Sequence, residues 1–208
     1  MRLQNALHGR QGLLDASAVP RVHEHTIKTA SEIETMEQKP DFPLVMKVVG
    51  PVHKTDVGGV VLNVSSVGDM KTQFEKLMQI EHATAVLVQP MISGTELFIG
   101  VKRESNFGHL VLCGLGGIFI EVLKDFSSCL TPVSNSESVA MIQDLKGYRV
   151  LQGIRGKDGV NEEIFSEIIQ RISALVDTAP EIVEMDMNPL MGSMQNIAAV
   201  DTRIRIKK

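Results

Sequence analysis

Tryptophan is absent from this chain of 208 residues, and Tyr148 is its only tyrosine. Aromatic residues make up 4% of the sequence against 43% hydrophobic, so the core has to be aliphatic and rich in methionine. Basic residues are scattered, no aromatic platform exists and the formal charge is −4, which excludes a phosphate-backbone binder of the usual kind. Cysteine is equally scarce. Cys113 and Cys129 fit neither a metal-ligand spacing nor the disulfide framework of a secreted protein, so a reducing cytoplasm is the expected compartment. The longest apolar stretch, Leu110 to Ile120, has 11 residues, three of them glycine, and ends at Glu121. That is too short to span a bilayer, and no signal-peptide pattern opens the chain. The length suffices for one large domain or two small ones sharing a core.

What the chain does have is patterning. Runs of β-forming residues predict strands over 21–27, 44–49, 60–64, 85–89, 96–101, 110–113 and 118–122. Helices are expected over 2–18, after a Ser31 cap, after Ser66 and over 136–145. Met70, Phe74, Leu77 and Met78 form the apolar stripe of the Ser66 helix. Asn161 caps the clearest one, with Ile164, Ile168, Ile172, Leu175 and Val176 inward and Pro180 ending it. Strands come in adjacent pairs without regular βαβ alternation. The expected class is therefore α+β with mainly antiparallel sheets.

The tail reads as a β-hairpin. Val183, Met185 and Met187 alternate with Glu184, Asp186 and Asn188; Thr202, Ile204 and Ile206 alternate with Asp201, Arg203 and Arg205. A turn over 192–196 pairs Asn188 with Asp201, Asp186 with Arg203 and Glu184 with Arg205. Directly opposed residues have Cβ atoms about 5 Å apart, so Asn188 and Asp201 aim two oxygens at one point. Mg²⁺ accepts one or two protein oxygens and completes its octahedron with water and phosphate. An amphipathic surface hairpin with cross-strand charge pairs is the plain alternative.

Other positions carry chemistry. Lys47 sits mid-strand among apolar neighbours and needs an anionic partner. The segment from Gly50 to Gly59 holds His53, which is of a type able to accept a phosphoryl group, within a loop that is not a Walker A loop. Val86 to Met91 is an apolar strand broken at Pro90, suited to a flat heterocycle at Gln89 and Met91, with Glu96 able to accept from ribose hydroxyls. Gly114, Gly116 and Gly117 allow close approach of a ligand. Glu121, in a hydrophobic run, calls for a partner, and Arg155 is a candidate anion clamp. Taken singly, each fits a solvated loop or a strand–turn–strand unit as well.

In order, FPLVMKVVGPVHKTDVGG, VQPMISGTELFIGVKR, FGHLVLCGLGGIFIEVLKD, LQGIRGK and EMDMNPL…AVDTRI resemble the ATP-grasp domain of ADP-forming acyl-CoA synthetases of the acetate–CoA ligase type, relatives of the succinyl-CoA synthetase β subunit. The resemblance covers nearly the whole chain. It implies two α+β subdomains gripping a nucleotide, with roughly 20–90 as the smaller lobe set against 1–19 and 91–208. It implies ATP or ADP and Mg²⁺ as cofactors. Lys47 would hold phosphate, Gly58 and Gly59 would lie in the closing loop, Gln89 and Met91 would border the adenine hinge, and Glu96 would bind ribose. Asn188 and Asp201 would ligate Mg²⁺. His53 would carry the phosphoryl group, and Asp186, kept ionised by Arg203, would orient it. Only residues 48–52 separate Lys47 from His53, fewer than in many relatives, which shortens the loop's reach. CoA-binding and CoA-ligase domains would come from a partner subunit or a longer fusion. A regulatory module of a protein acetyltransferase is the alternative reading. The HKTDVGG and GLGGIFIEVLKD motifs argue against a carboxylate–amine ligase.

Overall fold

The computed structural model describes residues 9, 11–36, 41–51, 57–117, 119–154, 156 and 158–207. The chain divides into two compact units, Val22–Ile92 and the remainder, Met1–Arg21 with Ser93–Lys208.

The smaller unit contains β1 (His25–Ile27), α2 (Ala30–Thr35), β2 (Leu44–Val49), β3 (Val60–Val64), α3 (Val67–Met78) and β4 (Ala85–Pro90). Its sheet has the order β1-β4-β2-β3, with every ladder antiparallel. Alternation along β2 and β4 sends Leu44, Met46, Val48, Val86 and Val88 to one face, where they pack with Ile33, Met70, Phe74 and Leu77 of the helices. Ser66 caps α3 as the sequence predicts, its hydroxyl accepting from the Asp69 N–H. The α2 helix starts after Thr29 rather than at Ser31. Glu32 folds back onto the Lys28 N–H and the Thr29 hydroxyl, which moves the start upstream.

In the larger unit, residues 11–16 are helical (α1). Then follow β5 (Thr95–Glu104), β6 (Gly108–Leu115), a π-helical turn (Phe119–Leu123), β7 (Phe126–Leu130), α4 (Asn135–Gln143), α5 (Tyr148–Leu151), α6 (Glu162–Thr178), β8 (Ile182–Gly192), β9 (Ile197–Ala199) and β10 (Thr202–Ile206). The sheet order is β10-β8-β5-β6-β7, with β9 also on β8, and its ladders are antiparallel. Leu97, Ile99, Val111, Cys113, Met185 and Met187 face the buried stripe of α6, which includes Phe165, Ile168, Ile172 and Val176. Asn161 caps α6 through the Ile164 N–H, and Ser134 closes a capping box on α4 with Glu137.

Of the strand expected over 118–122, the described residues 119–122 form none. Gly117 takes a positive φ of 56°, the Glu121 N–H closes on the Gly117 carbonyl, and the apolar run coils as the π turn. Glu121 is consequently exposed rather than paired in a core. The real edge strand, β7, comes later and alternates exposed with half-buried residues, so its sequence carries little hydrophobic signal. Among the described residues no helix is long and apolar enough to cross a membrane.

Candidate functional site

The tail hairpin has the register read from the sequence. Arg203 lies opposite Asp186 and Arg205 opposite Glu184, the latter pair bridged at 2.7 Å. Beyond the break, Leu190 pairs with Ala199 and Gly192 with Ile197. The same register on both sides puts Asn188 across from Asp201 and the turn at Ser193–Asn196. Pro189 interrupts the ladder because it has no N–H to donate. Its carbonyl instead accepts from Val200 at 3.0 Å.

A β-bulge aims Asn188. Leu97 pairs with Leu190 and Ile99 with Met187, so Phe98 alone opposes both Asn188 and Pro189. A bulge bends its strand and re-directs a side chain. Asn188 Oδ1 thereby accepts from the Gly117 N–H at 3.4 Å. A Cβ on Gly116 would come within 3.1 Å of the same oxygen, and one on Gly117, at its positive φ, would collide with Glu96 Oε2. The two glycines thus form a corner on which an amide oxygen and a carboxylate converge. Gly116 N–H donates to the Glu96 carbonyl at 2.8 Å, fixing the corner to β5. The sequence showed the glycines as a place of close approach; it did not show that they serve Asn188 and Glu96.

Glu96 is exposed and lines a cleft of about 820 Å³ with Gly116, Phe119, Val150, Asp158 and Gln195. One wall is held by Asp125, which the motif reading missed. Its buried carboxylate accepts from the Lys146 and Gly147 N–H groups at 2.9 and 2.7 Å and anchors the entry to α5.

Asp186 lies on the sheet face turned away from α6, in a separate hollow of about 460 Å³ with Phe98, Gly100, Lys102, Glu184 and Arg203. Burial holds its carboxyl above the ordinary range; Arg203 opposes this, and the Asp201 and Glu184 carboxylates reinforce it. Arg203 acts on Asp186 in the expected direction, but burial outweighs it in the net shift. A half-buried carboxyl loses more from missing water than one guanidinium at the exposed rim restores. Cys113 is inert by the same physics, its thiol pushed up to about 12 by burial.

In the smaller unit Val45, Lys47, Leu87 and Gln89 share the sheet face opposite the helices. Lys47 is buried at the centre of β2. Gly59 ties the end of the loop to that strand, its carbonyl accepting from the Val48 N–H at 2.8 Å, and Gly58 holds a positive φ of 67° beside it. Gln89 is fully buried, and both polar atoms of its side chain lack a hydrogen-bond partner among the described residues. The Met91 N–H donates to the Pro43 carbonyl at 2.9 Å. His53 and Arg155 lie outside the described residues.

Among the described residues no group of three or more His, Cys, Asp or Glu side chains is placed to hold a metal ion. The Asn188–Asp201 pair suits the narrower demand of Mg²⁺, which binds through one or two protein oxygens and substrate phosphates.

An antiparallel two-unit α+β fold with a Gly-cornered Asn and Glu and a strand lysine has a known counterpart: residues 4–206 match the family model of the ATP-grasp domain. The β subunit of acetate–CoA ligase [ADP-forming] I from Pyrococcus furiosus is 35% identical over 196 residues, 89% of this chain and 82% of that subunit. Acetate–CoA ligase [ADP-forming] I from Archaeoglobus fulgidus is 36% identical over 207 residues, which is 94% of this chain but 30% of that protein. This chain therefore spans less than a third of the longer relative. Acetyl-coenzyme A synthetase 1 of Ca. Korarchaeum cryptofilum, solved with coenzyme A, Ca-AMPCP and HgCl+, superposes with a TM-score of 0.90 at 31% identity, covering 96% of this chain and 92% of that one. A second structure of that protein holds coenzyme A and Mg-AMPPCP, with a phosphohistidine segment pointing towards the nucleotide binding site (TM-score 0.82, 32% identity, 96% and 91% covered). The chain belongs to the ATP-grasp family, in the branch that includes the β subunits of ADP-forming acetate–CoA ligases.

Proposed function

We propose that this chain is the nucleotide-binding part of an ADP-forming acid–CoA ligase, passing a phosphoryl group between ADP or ATP and ligase domains carried elsewhere. The overall reaction is acyl-CoA + ADP + phosphate ⇌ acid + CoA + ATP. The observation that carries the reading is the convergence of Asn188 Oδ1 and Glu96 on the Gly116–Gly117 corner, with Asp201 in register across from Asn188. Two oxygen ligands and a hydroxyl acceptor fixed by backbone geometry suit a Mg²⁺–nucleotide rather than an apolar ligand.

In this reading Val22–Ile92 and the rest of the chain are the two lobes of the grasp. Lys47 binds phosphate oxygens, with Gly58 and Gly59 in the loop that covers them. Gln89 and Met91 border the base, and Glu96 accepts from ribose hydroxyls. Asn188 and Asp201 would hold Mg²⁺, which when bound offsets phosphoryl charge. His53 takes the phosphoryl group from an acyl phosphate as the acid leaves. It then yields the group to ADP, a P–N bond breaking as a P–O bond forms, and Asp186 orients the ring. CoA-binding and ligase domains are supplied by a second subunit or the same longer chain, in the cytoplasm.

Calorimetric titration with ADP and a non-hydrolysable ATP analogue, with and without Mg²⁺, tests the site. Mg-dependent binding is expected in the wild type. Loss of an inner ligand in Asp201→Ala should weaken it about tenfold or more. Equal affinity in variant and wild type would remove Asp201 from the metal site.

A further inference from the structure

The Gly116–Gly117 corner is braced from behind by the π-helical turn. The Phe119 N–H donates to the Gly116 carbonyl at 3.3 Å and the Glu121 N–H to the Gly117 carbonyl at 3.2 Å. No residue of the turn, Phe119 to Leu123, is buried, and Val122 and Leu123 are exposed. Phe119 alone among them packs, half-buried, against the core, so apolar packing fixes one end of the turn at most. The other end is fastened by polar groups. Asp125 is 4% exposed, and its N–H reaches back to the Phe119 carbonyl at 3.5 Å. Its carboxylate takes the Lys146 and Gly147 N–H groups, one on each oxygen. A Cβ on Gly147 would come within 3.0 Å of Asp125 Oδ2 and 2.5 Å of Leu115 Cδ1, so this seat closes against the strand that leads into the corner. Between turn and anchor, Lys124 holds a positive φ of 50°, a conformation that a lysine keeps only where its surroundings enforce it.

We infer that Asp125 is a positioning residue for the Glu96–Asn188 pair. Its carboxylate ties the end of the π turn to the entry of α5. The turn in its place sets the two glycine carbonyls, and the same glycines, through their N–H groups, hold the Asn188 amide oxygen and the Glu96 carbonyl. Asp125 does not line the cleft beside Glu96 and acts only through this chain of contacts. The inference rests on the nucleotide-site reading, in which Glu96 accepts from ribose hydroxyls, and adds what keeps that acceptor in place. Two charge-assisted hydrogen bonds make a firm anchor, and a binding group displaced by an ångström loses much of its effect. An asparagine at this position keeps the shape but has one acceptor oxygen, so one of the two N–H groups would face an NH₂.

The test is a titration of the full chain with ADP and with 2′,3′-dideoxy-ADP, which lacks both ribose hydroxyls, in the presence of Mg²⁺. The wild type should bind ADP about tenfold more tightly, the worth of a hydrogen bond to a charged acceptor. Asp125→Asn should bring that ratio below about twofold, because the acceptor is no longer held. Ser134→Ala, which removes the α4 cap in the same unit, should melt lower than the wild type and keep the tenfold ratio. A ratio of two affinities is unmoved by a mere loss of folded protein, so it separates positioning from stability. An Asp125→Asn protein that keeps the tenfold preference would overturn the inference, whatever its melting temperature, and so would a Ser134→Ala protein that loses it. A wild type that binds ADP without preference would remove Glu96 as the ribose acceptor and the inference with it. A wild type that binds neither ligand would take down the nucleotide site itself, an outcome distinct from failure of the brace.

Discussion

At Asp186 loss of water and the charge of Arg203 pull in opposite directions, and loss of water prevails. A native carboxyl held above its unfolded value binds protons more tightly in the folded state. Its contribution to stability is therefore present in acid and is lost as pH rises through the native value. Asp186→Asn removes the ionisable group. The variant should melt higher than the wild type near neutral pH, and the gap should close below the ordinary carboxylate range. Melting curves across the acid range read this directly, and a gap that does not change with pH would show that Asp186 makes no titrating contribution. Arg203 was legible as its cross-strand partner because a strand alternates with a period of two. The direction of the shift was not, because burial depends on Phe98 and Gly100 on the neighbouring strand. The same holds at Gly117, whose positive φ and contact with Glu96 follow from a turn that no residue pattern announces.

Elements with a cap and a stripe were readable. The α6 helix carries both, Asn161 bonding the Ile164 N–H and an inward row through Ile168, Ile172 and Val176. Asn161→Ala should lower stability by about 1 kcal/mol, measured by chemical denaturation, as a lost N-cap usually does. Thr29→Ala should cost less, because Thr29 gives α2 no side-chain bond to the backbone. The two stretches misread or missed share a different cause. Residues 118–122 are apolar enough for a strand, but the preceding glycines coil 119–122, and β7 has too few buried positions to stand out. The bulge opposite Phe98 was also invisible in advance. It exists only as a mismatch between two strands, and one of them lies about ninety residues away in sequence.

On the scale of the whole molecule, five ordered motifs made the family legible where single motifs did not. The coverage of the relatives explains what remained out of reach: the Archaeoglobus protein is more than three times as long as the part matched here. With CoA-ligase domains supplied, His53→Asn should abolish an acid-labile phosphoenzyme on this chain while sparing ADP binding. Undiminished labelling in that variant would remove His53 as the carrier. The bond from Val48 N–H to the Gly59 carbonyl sets a geometric bound on that carrier. It joins the two ends of the segment, Val48 and Gly59, at one point of β2. His53 stands five residues past Val48. Covalent geometry allows about 3.5 Å per residue, so its Cα travels no further than about 18 Å from Val48. If His53 is the carrier we propose, its acceptor must come inside that reach, so docking of ligase domains would set whether the phosphoryl group is handed over.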